Sequence, residues 1–142
     1  MIILRGALAV VAGIGVFVLA LLAWDAAGTA ILGADPWINR STNTQVVWLF
    51  GNAVCMIAGG YAAAWIAPRA HVAHAVIVGT IQTGLTLAAF LTVKGDATPT
   101  WLWVCGMVLT VPAAWIGGGL KAGDGMAGPP PSVSGLGGTR PT

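Results

Sequence analysis

Four long apolar segments follow one another along the chain, and none of them contains Asp, Glu, Lys or Arg. They cover roughly residues 6–24, 46–67, 72–93 and 101–120. Each is close to the ~20 residues that an α-helix needs to cross the hydrocarbon core of a bilayer. None alternates strictly between apolar and polar positions, as the strands of a membrane barrel would. The pattern therefore predicts an all-α membrane protein, a bundle of four transmembrane helices.

The composition supports a lipid environment. Of the 142 residues, 57% are hydrophobic and only 7% are charged, whereas about a quarter of the residues of a soluble domain are charged. The net charge of +2 is spread along the chain without a basic or acidic patch, so no nucleic acid is expected as a partner. The partner that the composition predicts is the lipid bilayer.

The charged residues predict an orientation. The side of the N-terminus carries four basic residues and one acid: Arg5, Arg69, Lys121, Arg140 and Asp124. The opposite side carries two basic residues and three acids: Arg40, Lys94, Asp25, Asp35 and Asp96. Because basic residues accumulate in cytoplasmic loops, both termini are expected to be cytoplasmic. The first segment is longer than the apolar region of a signal peptide, so we expect it to be a retained helix.

The connections predict one transmembrane domain, residues 1–120. Pro68 is expected to end helix two, and a tight turn at Arg69 leads into helix three. The segment from Asp25 to Gln45 is predicted to be the one sizeable external loop, and its Ser, Thr and Asn residues are candidates for the N-cap of helix two. The remaining residues, 121–142, are rich in Gly and Pro and predict a disordered cytoplasmic tail.

Small and weakly polar residues recur on one face of each predicted helix at 100° per residue, a pattern typical of helices that pack closely in lipid. These faces are Gly6, Ala9, Gly13 and Ala20 on helix one, Gly51, Asn52, Cys55, Gly59 and Ala62 on helix two, Gly79, Gln82, Thr83 and Thr86 on helix three, and Gly106, Thr110, Ala113 and Gly117 on helix four.

Four polar residues within the predicted helices are the main candidates for a function: Asn52, Gln82, Thr83 and Thr86. Counting along the helices places Asn52 and Thr86 at similar depth, so we expect a hydrogen bond between them. No ionisable residue accompanies the four, which favours a role in helix packing over a role in permeation. A polar path along helices two and three is the alternative.

Three further candidates lie at the predicted cytoplasmic interface: Arg69, His71 and His74. The two histidines are three residues apart and share a helix face, but two ligands are too few to indicate a metal site. Residues that face lipid headgroups are the favoured interpretation, and no cofactor is expected. Nothing in the chain resembles a catalytic constellation, so an enzyme is not expected.

The segments GGYAAAWIAPR at 59–69 and PAAWIGG at 112–118, together with His74, Pro99 and Trp101, resemble a pattern of small uncharacterised four-helix membrane proteins of bacteria. The resemblance covers roughly residues 46–120 and implies a multi-pass protein of the bacterial inner membrane, of unknown function. The chain is also similar in length and helix number to small multidrug antiporters. It departs from them because predicted helix one contains no carboxylate, and it lacks the motif of small fluoride channels.

The sequence therefore predicts a non-enzymatic structural or accessory membrane subunit, either in a homo-oligomer or in a larger membrane complex. The alternative is a small oligomeric channel or transporter whose polar path follows helices two and three. A third hypothesis is a redox or metal-binding subunit that uses His71 and His74.

Overall fold

The computed structural model describes residues 2–32, 41–92 and 98–124, and all regular secondary structure in these ranges is helical. The helices are α1 (Ile2–Leu32), α2 (Thr42–Ile66), α3 (His71–Thr92) and α4 (Thr100–Asp124). Each is long and apolar enough to cross a membrane. The prediction of an all-α chain with four such helices is confirmed. The predicted disordered tail begins at residue 121, but α4 continues to Asp124, so the prediction is wrong for residues 121–124. The rest of the predicted tail, residues 125–142, lies outside the described residues.

The first helix continues well beyond its predicted end. The structure places Asp25 inside α1, with seven further residues following in the same helix. Those residues, AAGTAIL, contain no proline, and their three alanines and final leucine favour a helix. The predicted external loop is therefore wrong in its first part, and so is the expectation that helix one contains no carboxylate. That contrast with small multidrug antiporters does not hold for α1.

The second helix begins four residues earlier than predicted, at Thr42. The Ser41 backbone is extended, and its side-chain oxygen accepts a hydrogen bond of 3.2 Å from the Thr44 backbone nitrogen. This is the geometry of an N-cap, which satisfies one of the free N–H groups of the first turn. The prediction that a Ser, Thr or Asn of this segment caps helix two is confirmed.

The turn between α2 and α3 consists of residues 67–70. Ala67 leaves the helix in an extended conformation, and Pro68 follows, which has no N–H to continue the helix. Ala70 has a φ of 53°, in the left-handed region that residues other than glycine avoid. The predicted tight turn is thus present.

The four helices form a bundle in which neighbours along the chain are antiparallel. The α2 helix packs against α1 and α4 most extensively, and α3 packs mainly against α4. Within the described residues α1 and α4 do not approach each other. We call the end with the start of α1 and the 67–70 turn the turn end. The opposite end, where α1 and α3 finish and α2 and α4 begin, is the cavity end.

Helix backbones approach one another closely in the half of the bundle nearer the turn end. A Cβ added at Gly60 would overlap the Ala114 backbone, and one added at Gly117 would overlap the Ile57 carbonyl oxygen. A Cβ at Gly13 would lie 2.7 Å from the Ala63 Cβ. These positions therefore require glycine, and two of them, Gly13 and Gly117, belong to the predicted small-residue faces.

The surface of the bundle is apolar. The core is small, with Phe17, Met56 and Val78 as its largest fully buried side chains. Many large apolar side chains point outward instead, for example Phe50 at 70% exposure and Trp65 at 68%. A soluble protein rarely exposes contiguous apolar surface on this scale, whereas lipid solvates it. The fold is therefore a bundle of four helices that are long and apolar enough to cross a membrane.

Candidate functional site

A cavity of about 340 Å³ separates the helices at the cavity end. All four helices contribute to its lining, and so does Thr98, just before α4. The described lining residues are Phe17 and Leu21 of α1, Trp48 and Asn52 of α2, Gln82, Leu85, Thr86 and Ala89 of α3, Thr98, and Leu102, Trp103, Gly106 and Thr110 of α4.

Three polar side chains lie at the same level of this cavity. Asn52 is ten residues from the start of α2, Gln82 is ten residues from the end of α3, and Thr110 is ten residues from the start of α4. At 1.5 Å per residue each lies about 15 Å from the cavity end of its helix. They are also the deepest lining residues of their helices, so they form a polar layer at the bottom of the cavity.

The hydroxyl groups around the cavity are bonded within their own helices. Thr86 donates a hydrogen bond of 2.9 Å to the Gln82 carbonyl, and Thr110 donates one of 2.7 Å to the Gly106 carbonyl. The predicted hydrogen bond between Asn52 and Thr86 is therefore wrong, although both residues line the cavity. A threonine hydroxyl in a helix finds the carbonyl four residues earlier without any tertiary partner.

The carboxamides of Asn52 and Gln82 are different. Both side chains are half-buried, and within the described residues neither forms a hydrogen bond. No fully buried side-chain nitrogen or oxygen lacks a partner in this part of the chain, so both amides remain open to the cavity. Each carries two N–H donors and a carbonyl acceptor that a molecule in the cavity could engage.

Thr83 lies outside this arrangement. Its hydroxyl donates a hydrogen bond of 2.9 Å to the Gly79 carbonyl, and it does not belong to the described lining. Of the four polar candidates, the structure thus brings Asn52, Gln82 and Thr86 together around one cavity and places Thr83 elsewhere.

Two tryptophans form fixed walls of the cavity. The Trp48 Nε1 donates a hydrogen bond of 2.9 Å to the Asp25 Oδ1, and Asp25 is half-buried in α1. The Trp103 ring packs on Phe90 with 5.9 Å between ring centroids and an interplanar angle of 52°. Contacts of this type are favourable beyond the area that they bury, and they hold both indoles in place.

The cavity is neutral and ends within the bundle. None of the described lining residues is charged, and Asp25, which accepts the hydrogen bond from Trp48, does not belong to the lining. Towards the turn end the lining reaches Phe17 and the polar layer, and the closely packed glycines follow. Along α2 and α3, the described lining spans Trp48 to Asn52 and Gln82 to Ala89.

The histidines lie at the turn end, away from the cavity, and have structural partners. The His71 Nδ1 donates a hydrogen bond of 2.6 Å to the Ala64 carbonyl, whose usual partner four residues later would be Pro68. Because proline has no N–H, His71 supplies the missing donor. The His74 Nδ1 donates to the Ala70 carbonyl at 3.1 Å, and its ring lies against Gly6.

Metal-binding side chains do not cluster in the described part of the chain. No group of three His, Cys, Asp or Glu residues there could hold a metal ion. Cys55 is buried and Cys105 is half-buried, both as free thiols. Arg69 is exposed in the turn between α2 and α3. The two histidines and Arg69 thus share the turn end, and each histidine is bonded to a different carbonyl.

Sequence reasoning missed several residues of the cavity. Trp48 and Trp103 are not among the predicted site residues, and Asp25, which accepts the hydrogen bond from Trp48, is predicted to lie in a loop. Gly106 was interpreted as a packing residue, although only Leu49, at 4.0 Å, lies near the position of its Cβ. A glycine with open space on an inward face could signal a cavity, but that space is visible only in three dimensions. No known protein family, characterised protein or solved structure matches this chain.

Proposed function

We propose that this chain is a multi-pass protein of the bacterial inner membrane that acts without catalysis, as a structural or accessory subunit of a membrane assembly. Both termini are cytoplasmic in this proposal. It rests on the small residues through which the helices pack inside the bundle, and on a similar stripe of small residues that α3 exposes on the outside of the bundle.

The orientation is supported by the described basic residues. Arg5 and Arg69 are exposed and Lys121 is half-buried, and all three lie at the turn end. At the cavity end, the one charged side chain among the described residues is Asp25. Since basic residues are retained on the cytoplasmic side, the turn end faces the cytoplasm.

The observation that carries the proposal is a stripe of small residues on the outer surface of α3. Thr80, Gly84, Ala88 and Thr92 follow one another at intervals of four residues, and all four are exposed. The same helix packs inside the bundle through another face, where Ala75, Val78 and Gly79 are buried. The exposed stripe therefore repeats the small-residue pattern of the internal interfaces without an internal partner.

The stripe suits close contact with another helix. No atom of the described residues lies within 4 Å of the position of a Cβ at Gly84. The Thr80 and Thr92 hydroxyls donate to the carbonyls of Val76 and Ala88, so they need no further partner in lipid. The occupant that fits is a transmembrane helix of a neighbouring subunit with small residues on its facing side.

A channel or transporter is the second candidate, and the cavity favours it. Asn52, Gln82 and Thr86 would then form one end of a polar path. Because the described lining ends at the polar layer, such a path would have to continue between protomers of an oligomer. This candidate therefore also requires an oligomer, but one whose function is to conduct a solute.

The test compares two glycines with the same open surroundings. Gly84→Leu places a large side chain in the α3 stripe, whereas Gly15→Leu places one on α1, where the residues four positions away are Val11 and Leu19. Tagged full-length chains are extracted from their native membrane in a mild detergent. Size-exclusion chromatography and protein identification then show what accompanies each variant.

The proposal predicts that the wild type and Gly15→Leu retain a stoichiometric neighbour and that Gly84→Leu loses it. A different protein as the neighbour supports the accessory role, and a second copy supports a structural homo-oligomer. A wild type that runs as a lone monomer contradicts the proposal. For the second candidate, solute flux into proteoliposomes should fall in Asn52→Leu and Gln82→Leu, and unchanged flux argues against it.

A further inference from the structure

We propose that the cavity at the cavity end is a binding site for a small neutral amphipathic molecule, one that carries a hydroxyl or carbonyl group on an apolar body. The site lies within one chain, so the inference goes beyond the role in an assembly and does not depend on it.

The size of the cavity fits a small ligand. Its volume of about 340 Å³ lies at the lower end of the range for small-molecule sites, ~300–1,000 Å³. Most of the lining is apolar or aromatic, with a few polar groups, which is the composition that such sites share. A bicyclic molecule fits this volume, whereas a large cofactor does not.

The polar layer determines what the ligand must carry. The Asn52 and Gln82 carboxamides lie at the same depth and have no hydrogen-bonding partner among the described residues. Amide groups pair equally well with a hydroxyl or a carbonyl, since each offers both a donor and an acceptor. The Thr86 and Thr110 hydroxyls have already donated to backbone carbonyls, so they can only accept.

The walls determine that the ligand is neutral. No described lining residue is charged, and the Trp48 indole N–H is turned away, towards Asp25. A ligand with a full charge would lose its hydration here without gaining a counter-ion, which is costly. An apolar body, in contrast, finds Phe17, Leu102 and the two indole rings.

The cavity is accessible from the side of the bundle. Leu85 lines the cavity and is also 55% exposed, so its side chain stands at an opening to the surroundings. The helix that carries it, α3, packs only sparsely against α1. A ligand can therefore enter from the bilayer, and two sources share the required chemistry: the ester region of a lipid, or a free small molecule dissolved in the membrane.

The experiment uses the full-length chain in phosphatidylcholine nanodiscs and three probes of similar size. 1-Naphthol is neutral and carries a hydroxyl group, naphthalene lacks the hydroxyl group, and 1-naphthalenesulfonate is charged. Equilibrium dialysis of the radiolabelled probes measures the binding in excess of empty nanodiscs. Mass spectrometry of the lipids that copurify with the chain identifies a resident lipid.

Two variants fill the cavity from different helices. A Cβ at Gly106 has open space around it, so Gly106→Leu can extend into the cavity, and Ala89→Leu does the same from α3. Gly15→Leu is the control, because it adds the same atoms on the outer surface of α1. Circular dichroism and size-exclusion chromatography verify that each variant keeps its helices. If one of the two cavity-filling variants does not fold, the other provides the test.

The wild type and Gly15→Leu are expected to bind 1-naphthol about fivefold more tightly than naphthalene, the contribution of about one hydrogen bond. Binding should fall ~10-fold or more in the cavity-filling variants. The combined change Asn52→Leu and Gln82→Met should remove the preference for 1-naphthol over naphthalene.

The mass spectrometry of copurifying lipids identifies the source of the natural ligand. A lipid that copurifies at about one molecule per chain, and is lost from Gly106→Leu, supports the site and identifies a lipid as its occupant. Binding of 1-naphthol without such a lipid supports a free small molecule. The inference is overturned if the chain neither copurifies with such a lipid nor binds 1-naphthol. It is also overturned if the cavity-filling variants bind like the wild type, or if the sulfonate binds as tightly as 1-naphthol.

Discussion

Asp25 of α1 and Trp48 of α2 are joined by a hydrogen bond of 2.9 Å between the indole Nε1 and the carboxylate Oδ1. The bond connects two helices, accounts for a carboxylate inside a helix that is long and apolar enough to cross a membrane, and holds one wall of the cavity. An ionisable residue at such a position is costly unless it has a partner, and the indole N–H is a donor that needs an acceptor when it is buried.

The first prediction concerns this pair. In a double-mutant cycle with Trp48→Phe and Asp25→Leu, we expect a coupling free energy of ~1.5–3 kcal/mol, typical of a hydrogen bond to a charged group. Asp25→Asn keeps an acceptor oxygen and should retain part of the coupling. Unfolding by SDS in mixed micelles provides the free energies. Trp101→Phe, at a tryptophan 40% exposed, serves as the control, and a coupling near zero would argue that the bond contributes nothing.

The second prediction concerns the contact between α2 and α4. Gly60→Ala places a Cβ against the Ala114 backbone, which cannot yield as a flexible side chain would. We expect the free energy of unfolding to fall by ~1–3 kcal/mol, the usual cost of overpacking. At Gly119 nothing lies within 4 Å of an added Cβ, so Gly119→Ala should instead stabilise α4 by up to ~1 kcal/mol. Equal effects of the two substitutions would contradict this packing.

The third prediction separates the two histidines. His71→Ala leaves the Ala64 carbonyl without a donor, because Pro68 has none, and should cost ~1–3 kcal/mol of unfolding free energy. The Ala70 carbonyl, in contrast, also accepts a hydrogen bond of 3.3 Å from the His74 backbone nitrogen. His74→Ala should therefore cost less, and thermal melting of both variants in detergent would reveal the difference. A larger loss from His74→Ala would show that the proposed role of His71 is incorrect.

The fourth prediction concerns the strained turn residue. Ala70 has a φ of 53°, which costs a residue with a Cβ roughly 1–2 kcal/mol relative to glycine. Ala70→Gly should therefore raise the melting temperature. Ala73→Gly, at an exposed position in α3, should lower it, since glycine weakens a helix interior by about 0.5–1 kcal/mol. The turn geometry would be in doubt if both substitutions lowered the melting temperature.

The sequence was sufficient to predict the helices and their packing faces because both depend on short-range patterns. Apolar length predicts a membrane-spanning helix, and a period of 100° brings residues such as Gly13 and Gly59 onto inner faces, where the structure places them. The end of α1 was missed for a physical reason. Asp25 interrupts the apolar pattern, and its partner Trp48 lies 23 residues further along the chain.

The cavity could be predicted only in part. Depth along the helices predicts that Asn52 and Thr86 lie near each other, but whether such residues meet or surround a space depends on the volumes of all their neighbours. The hydrogen bond expected between Asn52 and Thr86 illustrates the limit, since the Thr86 hydroxyl is bonded within α3. An open position such as Gly106 looks the same in the sequence as a tightly packed one.

The difference among the glycines also bears on how this chain can evolve. At Gly13, Gly59, Gly60 and Gly117 even a methyl group would meet a neighbouring helix, so selection should remove almost every substitution there. At Gly15, Gly28, Gly119 and Gly123 no described residue comes within 4 Å of an added Cβ, and mutations should drift freely to other apolar residues. Gly84 has the same open surroundings within one chain. If Gly84 is nevertheless the same in related chains from different species, a helix of another subunit packs against it. If it varies as freely as the other open glycines, no such helix is present.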